Sequence, residues 1–191
     1  MSDTSTLAVE EYRALRATIR ERGTTRLIVT TLTFVAWSGL VIAVQTLSTV
    51  PVLTLVPLAV LATGFEVVFA LHVGVERIGR YLYVHYELPD ALTPGWEHAI
   101  GDVGSRAGAG SGIDPLFSVA FVVATLLNLI PAALLTADLA PALPGGLSAG
   151  FAALGFVHAL VVARVLQARR FAATQRQRDV EFFQQHAGRR P

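Results

Sequence analysis

The chain has 191 residues, of which 53% are hydrophobic and 15% are charged. An average soluble domain has about 25% charged residues, so this composition argues against a soluble protein and predicts an integral membrane protein. The formal net charge is only +1, and the absence of cysteine excludes disulfides, thiolate metal sites and cysteine nucleophiles.

Residues 1–26 predict a charged cytosolic helix with one narrow apolar stripe that ends near Gly23. The members of the stripe recur at helical spacing and are Val9, Tyr12, Leu15 and Ile19. Such a helix either packs on a neighbouring helix or lies on anionic lipid headgroups through its arginines, and both interpretations stay open. Residues 27–47 follow as the first predicted transmembrane helix, because about 20 apolar residues cross a hydrocarbon core of about 30 Å.

The second predicted transmembrane helix covers residues 51–72 and continues as a cytosolic helical extension over residues 73–87. Pro51 suits the first position of this helix. In an α-helix each residue is rotated by about 100° around the helix axis from the one before it. With this rotation, the polar side chains of the second helix and its extension form one stripe opposite an apolar face. The stripe begins inside the apolar run and contains Glu66, Phe69, His72, Glu76, Arg77, Arg80, Tyr83 and Glu87.

The second half of the chain predicts two more transmembrane helices, over residues 115–135 and 147–165. Between the second and the third predicted transmembrane helix, residues 88–114 form a polar cytosolic loop with a short helix and a Gly-rich linker. Residues 166–191 form a cytosolic C-terminal helix and tail, rich in arginine and glutamine.

The arginines predict how the protein lies in the membrane. All 15 basic residues are arginines; five precede the first predicted transmembrane helix, three lie between the second and the third, and seven lie at or beyond the end of the fourth. By the positive-inside rule, both termini and the central loop are cytoplasmic. We therefore predict an all-α fold, an integral four-helix bundle that crosses the cell membrane four times, with flanking cytosolic amphipathic helices.

Three polar residues lie inside the predicted transmembrane helices: Glu66, Asn128 and His158. Glu66 and His158 lie at similar depths, which motivates the hypothesis that they face each other. Buried ionisable groups in membranes often form proton or cation relays. The alternative is a polar clamp between helices worth about 1 kcal/mol, and we favour the clamp. For Asn128 the alternatives are a helix-to-helix hydrogen bond and a polar group that lines a pore.

His72 and Glu76 are four residues apart, the spacing at which two side chains on one helix can coordinate the same metal ion. Glu97 and His98 in the loop would complete a site of two histidines and two carboxylates. The alternative is that His72, Glu76 and Arg80, each four residues apart, interact side by side along one face of the helix. We call this row of side chains the ladder; it would neutralise charge where the helix leaves the membrane. The ladder needs no assumption about the loop, so we predict no cofactor and keep a divalent metal as the alternative.

Arg77, Arg80 and Tyr81 lie where lipid headgroups are expected. Arginines and aromatic residues at that level usually anchor a helix to the interface; the alternative is that they hold an anion, such as a phosphorylated lipid or a nucleotide. The sequence has no serine nucleophile motif, Walker motif, zinc-protease motif or cofactor fingerprint. The arginines are divided among the membrane ends instead of forming one stripe, which argues against nucleic-acid binding.

Three functions fit these features, in this order. The first is an oligomeric, non-enzymatic channel or transporter component for ions, protons or a small solute, with Glu66, His158 and Asn128 along the path. The second is a scaffold or accessory subunit whose arginine-rich cytosolic helices bind a membrane or cytosolic protein, or anionic lipid. The third is a metal-dependent membrane enzyme that uses the four residues of the predicted metal site.

Overall fold

The structure, a computed structural model, describes residues 2–87, 95–96, 115–139 and 144–187. Every regular element in these residues is helical, which confirms the predicted all-α class. Within this part of the chain, four helices are long and apolar enough to cross a membrane. They are Thr6–Leu47, Pro51–Glu87, Phe117–Leu135 and Ala149–Ala187.

Five α-helices and two short helical segments make up the described chain. The α-helices are α1 Ser2–Leu47, α2 Leu55–Leu82, α3 Pro115–Leu127, α4 Leu129–Leu139 and α5 Pro144–Ala187. A 3-10 helix, Pro51–Thr54, precedes α2, and a π-helical segment, Tyr83–Glu87, follows it. Pro57 lies at the third position of α2, where its missing N–H removes no bond within that helix.

Helix α1 does not end near Gly23, contrary to the sequence prediction, but runs unbroken to Leu47. A single glycine inside a helix costs about 1 kcal/mol relative to alanine, which is too little to end a long helix by itself. Thr24 and Thr25, which follow it, donate their hydroxyls to the carbonyls four residues earlier and so stay within the helical pattern. The charged and apolar segments are therefore one helix.

The predicted transmembrane helix over residues 115–135 is divided into α3 and α4 by a turn at Asn128. Pro131 explains the division, because a proline cannot donate to the carbonyl four residues earlier and its ring crowds that carbonyl, which belongs to Leu127. The Asn128 N–H still donates to the Ala124 carbonyl at 2.9 Å, so the chain direction is kept. The sequence prediction of one helix over residues 115–135 missed this break.

The chain folds into two compact units. Unit 1 comprises Met1–Leu27, Phe69–Asp114 and Arg169–Pro191, and unit 2 comprises Ile28–Val68 and Pro115–Ala168. Unit 2 contains three charged residues, Glu66, Asp138 and Arg164, whereas all other charged residues of the chain belong to unit 1.

Unit 2 has an apolar surface as well as an apolar core. Phe65 and Phe121 are buried and pack edge to face, with ring centroids 5.3 Å apart. Many large apolar side chains point outward instead, among them Val35, Ile42 and Phe156. A surface this apolar suits lipid hydrocarbon, since water-soluble proteins rarely expose large contiguous apolar patches. Unit 2 is therefore compatible with a membrane-embedded bundle.

Gly64 lies at a close approach of α1 and α2 within unit 2. A Cβ added to Gly64 would overlap the Thr33 side chain and come within 2.8 Å of the Thr33 Cβ. Thr33 is buried, and its hydroxyl donates to the Val29 carbonyl at 2.7 Å, so it is held in place. The helix contact therefore has no room for a methyl group.

Gly64→Ala is expected to lower the free energy of unfolding by about 1–3 kcal/mol, because the added methyl overpacks this contact. Gly39→Ala is the matched control, since nothing lies within 4 Å of a Cβ added there. That control is expected to be neutral or to stabilise the protein by up to about 1 kcal/mol. Unfolding in detergent followed by circular dichroism measures both, and equal stabilities would contradict the close contact.

Unit 1 brings together segments from the start, the middle and the end of the chain. Leu82, Val84 and Ala172 are buried in its interior. Tyr81 of α2 packs edge to face on Phe183 of α5, with ring centroids 5.5 Å apart. The extensions of α1, α2 and α5 thus form a helical body of their own, with arginines and glutamates among its exposed residues.

Candidate functional site

The side chain of Asn128 is the centre of a hydrogen-bond cluster in unit 2. Trp37 donates its indole N–H to Asn128 Oδ1 at 3.1 Å. Asn128 Nδ2 donates to the Thr54 carbonyl and to His158 Nε2, both at 3.0 Å. The other ring nitrogen of His158, Nδ1, donates to the Leu154 carbonyl at 2.7 Å. We call Trp37, Thr54, Asn128 and His158 the Asn128 cluster.

The Asn128 cluster is buried and joins most of the helices of unit 2. Asn128, Thr54 and His158 have exposed fractions of 0%, 1% and 2%. The four residues belong to α1, the 3-10 helix, the turn between α3 and α4, and α5. The break at Asn128 places its amide where these segments meet, and the 3-10 helix packs against α4 beside it.

The hydrogen bonds of the cluster set the roles of its polar atoms. The indole N–H of Trp37 can only donate and the Thr54 carbonyl can only accept, so together they set which way the Asn128 amide faces. The amide therefore presents an N–H to His158, and Nε2 must accept it. The geometry accordingly favours the clamp over the relay for Asn128 and His158.

Glu66 forms a fork-shaped ion pair with Arg164 within unit 2. The Arg164 atoms Nη2 and Nε lie 2.8 Å and 2.7 Å from the two carboxylate oxygens of Glu66. Glu66 thus pairs with Arg164 and His158 with Asn128, which corrects the hypothesis that Glu66 and His158 face each other. A carboxylate in apolar surroundings is stabilised more by a guanidinium than by a neutral imidazole.

The Glu66–Arg164 pair lies in a groove between α2 and α5. The groove has a volume of about 330 Å³. Its other lining residues are Ala62, Thr63, Phe65, Val157, Leu160 and Val161. The side chains of Glu66 and Arg164 are 46% and 40% exposed, in contrast to the sealed Asn128 cluster. This pair is therefore the polar feature of the described spans that a ligand or partner can reach.

A second polar network, in unit 1, is centred on Arg80 and Asp179. Arg80 Nη1 donates to Asp179 Oδ2 at 2.8 Å, and Arg80 Nη2 lies 3.2 Å from Glu76 Oε2. Gln175 donates to the other Asp179 oxygen at 2.8 Å. The Arg80 and Asp179 side chains are only 9% and 10% exposed. This buried pair fastens α5 to α2.

His72 and Glu76 are placed close together, but each contacts an arginine. Arg26 Nη1 lies 3.1 Å from His72 Nδ1, and Glu76 pairs with Arg80. The predicted ladder is thus present in its Glu76–Arg80 half. Glu97 and His98 lie outside the described residues, and among the described residues no three His, Cys, Asp or Glu side chains form a metal-binding group. The four-residue metal site stays a prediction.

A small cavity separates this part of α2 from α5. Its volume is about 10 Å³, which is close to the minimum for one water molecule. Its lining residues are His72, Val73, Glu76, Arg80, Ala172 and Gln175. The space has no room for an organic substrate, so nothing in its size favours the metal-dependent enzyme.

The residues predicted to bind lipid headgroups have different environments. Arg80 is buried in its ion pair, and Tyr81 donates its hydroxyl to Glu11 Oε1 at 2.7 Å. Tyr86 donates to the other oxygen of Glu11 at 2.8 Å, so this carboxylate fastens α1 to α2. Arg77 remains half exposed, 3.7 Å from Asp179. Headgroup binding stays a prediction, with Arg77 its most accessible member.

Sequence reasoning missed the partners of most of these residues. No local motif marks the residues that supply these partners, which are Asp179, Glu11, Thr54 and Trp37. Each pairs with a residue 70 or more positions away along the chain. One weak signal existed for Asp179, which is an acidic residue within an arginine-rich segment.

The Asn128 cluster, the Arg80–Asp179 network and the groove between α2 and α5 are the features of the described residues that bear on function. The chain matches no family model, no curated protein and no solved structure.

Proposed function

We propose that this chain is a non-enzymatic, multi-pass membrane protein that acts as a scaffold or accessory subunit. In this proposal unit 2 anchors the protein in the cell membrane, and unit 1 presents helices that bind a partner in the cytoplasm. The distribution of charge supports it, because unit 2 holds only three charged residues and the arginines concentrate in unit 1.

The observation that carries the proposal is the internal bracing of unit 1. The Arg80–Asp179 pair joins α2 to α5, and the two tyrosine hydroxyls on Glu11 join α2 to α1. Buried ion pairs of this kind favour one arrangement of the helices over others. A body held in this way presents a constant surface, which is what a binding scaffold requires.

The extension of α5 supplies the surface that suits a partner. Its Asp179 side is buried, whereas the other side exposes guanidinium, hydroxyl and carboxamide groups. The exposed residues include Arg170, Thr174, Gln177 and Arg178. Guanidinium groups bind carboxylates through two parallel hydrogen bonds, so we propose an acidic protein as the partner.

Photo-crosslinking in intact membranes tests this function. With a photoreactive residue in place of Gln177, we expect one discrete adduct to another protein. The same residue in place of Leu126, on the apolar surface of unit 2, is expected to give no such adduct. Mass spectrometry of the purified adduct identifies the crosslinked chain.

Charge reversal supplies the control. Arg170→Glu together with Arg178→Glu is expected to reduce the adduct at Gln177 by about tenfold, which is the loss of roughly 1.4 kcal/mol of binding. Arg13→Glu with Arg20→Glu makes the same charge change on the exposed face of α1 and is expected to leave the adduct in place. Adducts to lipid alone, or equal losses in the two double variants, would contradict the proposal.

The second candidate is an oligomeric channel or transporter component, as first expected from the sequence. The half-exposed Glu66–Arg164 pair favours it, because a pore between subunits would be lined by accessible charges. The burial of the Asn128 cluster argues against a path through the core of one chain. Cation or proton flux into liposomes that is abolished by Glu66→Gln would support this candidate over the scaffold.

A further inference from the structure

The α2–α5 groove has the two-part character of an amphiphile-binding site. Its walls are apolar along most of their length, with Phe65 on α2 and Val157, Leu160 and Val161 on α5. One end is closed by the Glu66–Arg164 ion pair. From Val157 to Arg164 the groove follows α5 for about 10 Å, at 1.5 Å per residue. Its volume of about 330 Å³ falls within the range of ligand pockets, roughly 300–1,000 Å³.

The ion pair lies at the end of the apolar unit. Glu66 is two residues before the end of the first segment of unit 2 at Val68, and Arg164 is four residues before the end of the second at Ala168. These distances correspond to about 3 Å and 6 Å of helix. In a membrane such a position is near the headgroups, while the apolar part of the groove extends toward the hydrocarbon.

The charges of the pair select the kind of headgroup. Glu66 and Arg164 together have no net charge, so the site has no overall attraction for an anionic lipid. They do present an acceptor-only carboxylate beside a donor-only guanidinium, and both are exposed. A zwitterionic headgroup matches both, with its phosphate on Arg164 and its cationic nitrogen on Glu66. A primary ammonium donates three hydrogen bonds, whereas a quaternary ammonium donates none.

We infer that the α2–α5 groove binds a zwitterionic phospholipid with a primary amine, with its ammonium on Glu66, its phosphate on Arg164 and an acyl chain along the apolar walls. The inference requires unit 2 to lie in a membrane and does not depend on the partner proposed for unit 1. A second copy of this chain is the competing occupant, since an ion pair is complementary to itself across a two-fold axis.

Native mass spectrometry of the full chain in detergent tests the inference. The probes are three phospholipids with identical acyl chains and with ethanolamine, choline or glycerol headgroups. The expected result is one ethanolamine lipid retained per chain, at about one tenth of the concentration that either of the others requires. Glu66→Gln is expected to abolish this tenfold preference, because an amide accepts the ammonium less strongly than a carboxylate.

Two further variants separate lipid binding from misfolding. Glu66→Gln with Arg164→Gln removes both charges together, so neither is left unpaired, and is expected to lose the preference while the protein remains folded. Ala62→Leu fills the groove and is expected to lower retention of all three lipids. Ala163→Leu is the matched control on an exposed site that does not line the groove, and it is expected to retain lipid normally.

Three results would overturn the inference. They are equal retention of the three headgroups by the unchanged protein, an unchanged ethanolamine preference in Glu66→Gln, and a dimer that carries no lipid but dissociates on Ala62→Leu. The last result would assign the groove to a second copy of the chain. Loss of the crosslinked partner of unit 1 would leave the lipid result untouched, so the two proposals fail separately.

Discussion

Asp179→Ala is expected to lower the free energy of unfolding by about 3–5 kcal/mol, because it leaves the Arg80 guanidinium buried without its main counter-charge. Arg80 Nη1 and Asp179 Oδ2 are 2.8 Å apart, and both side chains are nearly sealed from solvent. Glu76 compensates in part, at 3.2 Å from Arg80, but its side chain is 44% exposed and the interaction is correspondingly weaker. Equilibrium unfolding in mixed micelles, followed by circular dichroism, measures the change.

Two control variants test the reason for this effect. Arg80→Met with Asp179→Leu removes both charges and refills the space, so it is expected to recover most of the stability lost in Asp179→Ala. Glu10→Ala breaks an exposed pair with Arg13, where the side chains are 62% and 71% exposed, and is expected to change stability by less than about 1 kcal/mol. A loss in Asp179→Ala no greater than in Glu10→Ala would contradict a buried pair.

Asn128→Leu is expected to lower the free energy of unfolding by about 3 kcal/mol or more. The change leaves the Trp37 N–H, the Thr54 carbonyl and the His158 ring nitrogen without the Asn128 amide as a partner in a buried site. Each buried polar group left unsatisfied costs about 1–3 kcal/mol. The same unfolding experiment measures the loss, and the fluorescence of Trp37 reports directly on the cluster.

The other members of the cluster should give smaller effects in a fixed order. His158→Phe leaves one Asn128 N–H without a partner, so its effect is expected to be smaller than that of Asn128→Leu. Ser38→Ala is the matched control beside Trp37, since the Ser38 hydroxyl donates to a carbonyl of its own helix at 3.0 Å. It is expected to change stability by no more than about 0.5 kcal/mol. Equal effects of all three variants would contradict a central role for Asn128.

These expectations separate stability from function. If the Asn128 cluster is a clamp, its variants should lose stability, and any loss of activity should follow the amount of folded protein. The groove differs, because the Glu66–Arg164 pair is half exposed and contributes less to folding. Changes there should alter lipid or ion selectivity in a protein that stays folded.

Asn128 and His158 show how much of a polar site can be predicted from the sequence. Both residues stand out in the sequence because a polar group in an apolar run needs a partner. Neither partner follows from spacing along one helix, since Thr54 and Trp37 come from other parts of the chain. Glu66 was likewise singled out correctly as a polar group in an apolar run, yet depth alone assigned it to His158 instead of Arg164.

The sequence by itself determined the all-α class, the four apolar helices and the residues most in need of a polar partner. These follow from local composition and from the helical period, which act over about 20 residues. Only the tertiary structure decided that α1 continues through Gly23, that Asn128 joins separate helices, and that Asp179 holds Arg80. The physical reason is that hydrogen bonds and ion pairs depend on distances of about 3 Å between side chains, which helical periodicity cannot specify across different helices.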